Sequence, residues 1–268
     1  MRFIRLVVAL AMALGLALVS TPARADGKDA TVSVLHAVPG ATVDVYANGK
    51  ELLKNFKPGT LTDPMKLPAG SYDLKVVAAG AGAEGKAVIE AKGVTVPAGA
   101  NITVVAHLSA DATPMLTPFV NDTSGSAEGA RLTVRHVAAA PVVDVRAGGK
   151  VVVKGLANPK EAKLDLAAMS VKADVVLTGT DSVAIGPADL AVKKGVNTIV
   201  YAWGSASDKT LALAVQTVPL RSHHGMPETG VNDAASSSPI AALGVGIALL
   251  LGASLVLASR FGGQLTRR

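Results

Sequence analysis

The chain repeats itself. Val34, His36, Val43, Asp44, Val45, Ala47, Gly49 and Lys50 recur 100 positions later as Val134, His136, Val143, Asp144, Val145, Ala147, Gly149 and Lys150. Further on the repeat returns with a small shift, Pro97–Val105 paralleling Lys193–Tyr201. Self-similarity of this kind means that one structural unit is used twice, so any fold proposed for the first half must also suit the second. Between the halves, Asn121-Asp122-Thr123-Ser124-Gly125-Ser126-Ala127-Glu128-Gly129 is small and polar and reads as a linker. Each half carries a full strand set, so residues 26–122 and 129–220 are each expected to fold alone.

Within each half, short segments rich in Val, Ile and Thr alternate with clusters of Gly, Pro, Asn and Asp, which is the pattern of strands between turns. In the first half the candidate strands are Thr31–Ala37, Thr42–Ala47, Lys50–Asn55, Ser71–Ala78, Lys86–Ala91, Asn101–Leu108 and Met115–Val120. In the second they are Arg131–Ala138, Val142–Ala147, Lys150–Gly155, Val171–Thr178, Val196–Trp203 and Thr210–Val218. Sustained helical periodicity occurs only near the termini. So many short strands in such short halves predict an all-β protein of two tandem immunoglobulin-like β-sandwich domains. Asn48-Gly49 between two strand patterns is a type I′ hairpin signal, and Gly148-Gly149 takes the same place in the second half.

The ends carry a different message. A short basic start, an apolar run from Leu6 to Val19 and Ala23-Arg24-Ala25 predict a secretory signal peptide over residues 1–25, cleaved by signal peptidase. At the other end, residues 240–259 are uncharged and apolar. At about 1.5 Å per residue they span a hydrocarbon core of about 30 Å as a transmembrane helix. Arg260, Arg267 and Arg268 make residues 260–268 a basic cytoplasmic tail. The expected organisation is then domain 1 over 26–120, a linker over 121–130, domain 2 over 131–219 and a stalk over 220–239, followed by the span and tail.

Charge must be read with these ends removed. The net +6 comes from six terminal arginines, and the part between them holds 20 basic and 20 acidic residues. That balance offers no basic face for nucleic acid. With no cysteine, disulfides, thiolate zinc sites and cysteine nucleophiles are excluded.

Four recurrent polar residues are the candidates for a ligand loop: His36, Asp44, His136 and Asp144. His36 is in phase with Val32 and Val34 and His136 with Leu132 and Val134, so both histidines lean inward. A loop carbonyl or the nearby Asp44 is the expected partner of His36. A metal is disfavoured, because no second histidine stands at ligand spacing. Asp44 and Asp144 alternate with inward valines and are expected to face solvent or an edge; the alternatives for Asp44 are bonding to loop N–H groups or calcium, and calcium is disfavoured because no DxDxDG-type loop supplies the oxygen ligands it needs. Gly80-Ala81-Gly82-Ala83-Glu84-Gly85 has the letters of a dinucleotide loop, but a strand follows it where a helix is needed, so it reads as a hairpin loop. No cofactor is expected.

At the repeated strand pair, Leu35-His36-Ala37-Val38-Pro39-Gly40 followed by Val43-Asp44-Val45-Tyr46-Ala47-Asn48-Gly49 resembles the start of the bacterial domain of unknown function DUF4397. The resemblance covers both halves. In the second, Ala139 and Ala140 replace the Pro-Gly pair and Arg146 replaces the tyrosine. It implies an exported β-rich module and carries over no catalytic residue. Met226-Pro227-Glu228-Thr229-Gly230, with the span and basic tail behind it, is similar to an LPxTG sortase sorting signal with Met226 in place of the leucine. That resemblance implies cleavage between Thr229 and Gly230 and linkage to peptidoglycan; otherwise the protein stays in the membrane. The function expected from these features is non-enzymatic: a cell-surface protein that presents two modules for adhesion, spacing or envelope assembly with an unidentified surface partner. The alternative is a small-ligand binding module.

Overall fold

Every regular element among the described residues, 28–221 of a computed structural model, is a strand. The first half contributes β1 (Ala30–Ala37), β2 (Val43–Ala47), β3 (Lys50–Phe56), β4 (Met65–Leu67), β5 (Gly70–Ala78), β6 (Ala87–Val96), β7 (Asn101–Leu108) and β8 (Pro114–Val120). The second contributes β9 (Ala130–Ala139), β10 (Val143–Ala147), β11 (Lys150–Leu156), β12 (Glu161–Leu166), β13 (Met169–Leu177), β14 (Val183–Val192), β15 (Val196–Ser205) and β16 (Ala212–Pro219). Residues 1–25, expected to be a signal peptide, the pentapeptide at 226–230 and the apolar run at 240–259 lie outside the described residues. No helix among the described residues is long and apolar enough to cross a membrane.

The strands form four sheets of four. The first half builds the orders β4-β1-β7-β8 and β3-β2-β5-β6, and the second repeats them as β12-β9-β15-β16 and β11-β10-β13-β14. The first and seventh strands of each half run parallel, β1 with β7 and β9 with β15. This order departs from the immunoglobulin arrangement expected from strand spacing. There the first strand pairs with the second and the sheets hold four and three strands. Here β1 pairs with β4 and β7, and β2 lies in the opposite sheet.

Three strands escape the sequence pattern. β4 is three residues held between Pro64 and Pro68. β12 reads Glu-Ala-Lys-Leu-Asp-Leu, and all but its two leucines are residue types depleted in strands. β14 carries Gly186-Pro187 in mid-run, which demotes a strand unless it lies at an edge, and β14 is an edge strand with a register shift at that point. The turns expected at Asn48-Gly49 and Gly148-Gly149 are present, with positive φ at all four residues.

Alternation fills the sandwiches. Val34, Val45, Val76 and Ile89 belong to the core of the first half, joined by Val32, Leu74, Val96 and Val104 toward the other end. Val134, Val145, Val175 and Val200 do the same in the second. The strands at the centre do more. β1, β7, β9 and β15 are buried at nearly every position, so both of their faces are covered. Their second faces meet one another. Leu35, Ala37, Val105 and Phe119 of the first half share one cluster with Val137, Ile199, Tyr201 and Val218 of the second. The described chain is thus four sheets deep, with β4-β1-β7-β8 and β12-β9-β15-β16 in the middle.

Candidate functional site

Each recurrent histidine closes the turn from the first strand of its half to the second. The His36 Nε2–H donates to the Ala41 carbonyl at 2.9 Å and Nδ1 faces the Val38 N–H at 3.4 Å. His136 repeats this with the Pro141 carbonyl at 2.9 Å and the Ala138 N–H at 3.4 Å. A carbonyl partner needs a proton on Nε2, and a backbone N–H on the other nitrogen leaves it as acceptor, so both rings are held neutral. Burial pushes both below the ordinary histidine pKa, with the loop carbonyls opposing.

Asp44 and Asp144 point away from the valines, as alternation requires, but not to solvent. Asp44 is 1% and Asp144 5% exposed. The physical reason lies in the neighbouring edge strand. β2 and β3 slip register between Val43 and Val45, and Asn55 of β3 takes a positive φ there. The bulge leaves an N–H without a ladder partner, and Asp44 accepts it at 2.8 Å together with the Gly80 N–H at 2.8 Å. In the second half the bulge falls at Gly155, whose N–H reaches Asp144 at 2.7 Å, with the Thr178 hydroxyl at 2.9 Å. Backbone donors hold both carboxyls below the usual carboxylate range, from Asn55 and Gly80 for Asp44 and chiefly from Gly155 for Asp144. Gly80, in the loop that resembles a phosphate cradle, therefore has its N–H committed to Asp44, and the loop joins β5 to β6 as a hairpin. The four candidates do not converge on one site; each ties down its own loop. Among the described residues no group of three or more His, Cys, Asp or Glu is placed to hold a metal ion.

The most organised polar chemistry lies where the halves meet, and it rests on a residue that the sequence reading passed over. Arg135 is fully buried. Its Nε donates to Glu161 at 2.9 Å, and Nη1 donates to Asn121 Oδ1 at 2.8 Å and to the Tyr201 hydroxyl at 2.7 Å. Its guanidinium lies 4.4 Å from the Phe119 ring centre, so the ring face of a first-half residue helps stabilise the buried cation. The Tyr201 hydroxyl in turn donates to Gln216 Oε1 at 2.6 Å, and the Thr103 hydroxyl of the first half donates to the same Gln216 oxygen at 2.8 Å. On the far side, Asn158 reaches the carbonyls of Leu108 and Ala138 at 2.8 and 2.6 Å, one from each half. The signal for Arg135 was in the repeat: an offset of 100 sets it against Leu35. One interface position is apolar in one half and cationic in the other, which makes the two faces complementary rather than identical.

The linker belongs to this interface. Asn121 is buried and bonds Asn101 and Thr103 as well as Arg135. Arg131 pairs with Asp122 at 2.8 Å and with Asp165 at 2.6 Å. The Arg221 N–H reaches the Thr123 carbonyl at 2.7 Å. Residues 121–129 are thus pinned along the second sandwich, which their small polar composition did not suggest.

Fold and site together define an all-β double sandwich whose recurrent polar residues brace loops and whose largest polar network braces the two halves. Residues 30–146 contain a DUF4397 domain, a domain of unknown function. That match takes in the whole first sandwich and runs on through β9 and most of β10, where the His and Asp of the first strand pair recur. No curated protein matches the chain.

Proposed function

We propose that this is a non-enzymatic surface protein of two tandem DUF4397-like modules, exported by its N-terminal segment and held at the envelope by its C-terminal one. The modules serve as a braced spacer that carries an adhesive or assembly surface away from the anchor. The observation that carries this reading is the middle of the stack: two sheets covered on both faces and locked by Arg135. A pair of beads on a loose string has no need of a buried cation between them, whereas a spacer that transmits position does. The commitment of His36, Asp44, His136 and Asp144 to loop bracing further favours a structural over a catalytic role. Sortase, acting at Met226-Pro227-Glu228-Thr229-Gly230, is the proposed partner that moves the chain from membrane to peptidoglycan.

The test is fractionation with and without muramidase. The wild type is expected in the muramidase-released fraction without residues 230–268. Thr229→Ala is expected to leave full-length precursor in the membrane. Wild-type protein wholly extracted by detergent and still ending in Arg268 refutes sorting and leaves a membrane-held surface protein.

A further inference from the structure

Two positions that fill the first sandwich are cut back in the second. Leu74, opposite Ala47 in the pairing of β2 with β5, corresponds to Ala173, opposite Ala147 in the pairing of β10 with β13. Tyr72, opposite Val94, corresponds to Val171, opposite Leu190. The edges differ as well. β6 lies against β8 in the first sandwich, whereas β14 leans over β15 and β9 in the second, and Val215 of β16 is exposed there just as its counterpart Pro118 of β8 is. The result is a cavity of about 70 Å³ between the sheets of the second sandwich, against about 30 Å³ in the first. Val134, Ala173, Val175, Leu190, Val200 and Val215 supply much of its wall. The charges beside it are already matched: Arg146 with Asp174 at 2.7 Å and with Asp181 at 3.1 Å, and Lys172 with Asp189 at 3.1 Å.

We propose that this cavity is a binding site for an uncharged, branched aliphatic group. An apolar cavity of about 150 Å³ stays dry and takes up benzene, so half that volume suits a branched alkyl group of about four carbons rather than a ring. A rim whose charges are spent on one another offers no counter-ion to a charged head. Burial of so few methylenes supports binding in about the millimolar range. The inference goes beyond the spacer role and involves none of the loop-bracing residues.

The experiment is a titration of the full chain, held in lipid nanodiscs, with 2-methyl-1-propanol while methyl resonances are followed. Saturable shifts are expected at Val175, Leu190 and Val200, with Val76 and Val104 of the first sandwich unmoved. Ala173→Leu restores the side chain of the first sandwich at that place. It is expected to weaken the shifts at least fivefold and to raise the melting temperature. Equal, non-saturating drift in both sandwiches overturns the proposal, as do shifts that Ala173→Leu leaves unchanged. Should that variant not fold, the contrast between the two sandwiches of the wild type decides alone.

Discussion

At the scale of single residues, the repeat preserves what the backbone cannot do for itself. Asp44 is the acceptor for two N–H groups that no ladder serves, one at the β3 bulge and one at Gly80. An unsatisfied buried donor costs about 1–3 kcal/mol. Asn in place of Asp keeps the shape but gives one acceptor oxygen and a clashing NH2, so Asp44→Asn should lower the melting temperature by about 5 °C at pH 7. The sign with pH follows from the depressed pKa. The stabilisation is present above the unfolded carboxylate pKa of about 3.9 and is lost as pH falls through the lower folded value. The gap between wild type and Asp44→Asn should therefore close on acidification below about pH 4. A gap that is constant across the pH range in thermal melts would remove the charge from this account. The recurrence of Asp44 and His36 was visible in the sequence. The kind of partner was visible too, a loop carbonyl for His36 and loop N–H groups as the alternative for Asp44, but not which groups, because a bulge and a turn that place N–H and C=O groups 5 to 36 positions away are products of chain reversal.

Among the elements, the loop between β3 and β4 does more than connect. Gly59 has φ +76°, and a Cβ there would stand 2.9 Å from the Trp203 ring, whose strand β15 belongs to the other half. Gly49 has the same φ with nothing within 4 Å. Gly49→Ala should cost about 1 kcal/mol, the price of left-handed backbone alone. Gly59→Ala should cost about 2–3 kcal/mol, since the indole must also move. Trp203 is the sole tryptophan, so its emission reports directly on the displacement. A red shift is expected for Gly59→Ala and none for Gly49→Ala; equal losses of stability with unchanged emission would show the close approach to be immaterial. Strong strands such as β7 and β15 were legible because apolar runs mark them. β12 and β14 were not, because edge strands tolerate charge, Gly and Pro that the pattern counts as loop.

For the molecule as a whole, the two halves were expected to fold alone, and each does have its own core. Docking adds a consequence. The first half alone would expose Leu35, Val105 and Phe119, and the second Val137, Ile199 and Tyr201 beside an uncovered Arg135. Fragments 26–122 and 129–220, prepared separately, should therefore associate one to one when mixed, as sedimentation would show. Arg135→Leu copies the first half at that place but abandons Glu161, Asn121 and Tyr201. Breaking a buried ionic network by removing one partner costs about 3–5 kcal/mol. The parent is expected to melt in a single transition and Arg135→Leu in two. A single unshifted transition would mean that the apolar cluster holds the halves together without help.

The sequence by itself determined that this chain is all-β, that its plan is used twice, and which turns reverse at Asn48-Gly49 and Gly148-Gly149. These are local or periodic properties, written in neighbouring residues and in a fixed offset. Only the tertiary structure decided the strand order, the burial of Asp44 and Asp144, and the docking of the two halves through Arg135. Each of these depends on which distant surface covers a face. A strand such as Leu132-Thr133-Val134-Arg135-His136 states that it is buried on one side by alternation, but whether its other side meets water or a second sheet is settled by the partner sheet.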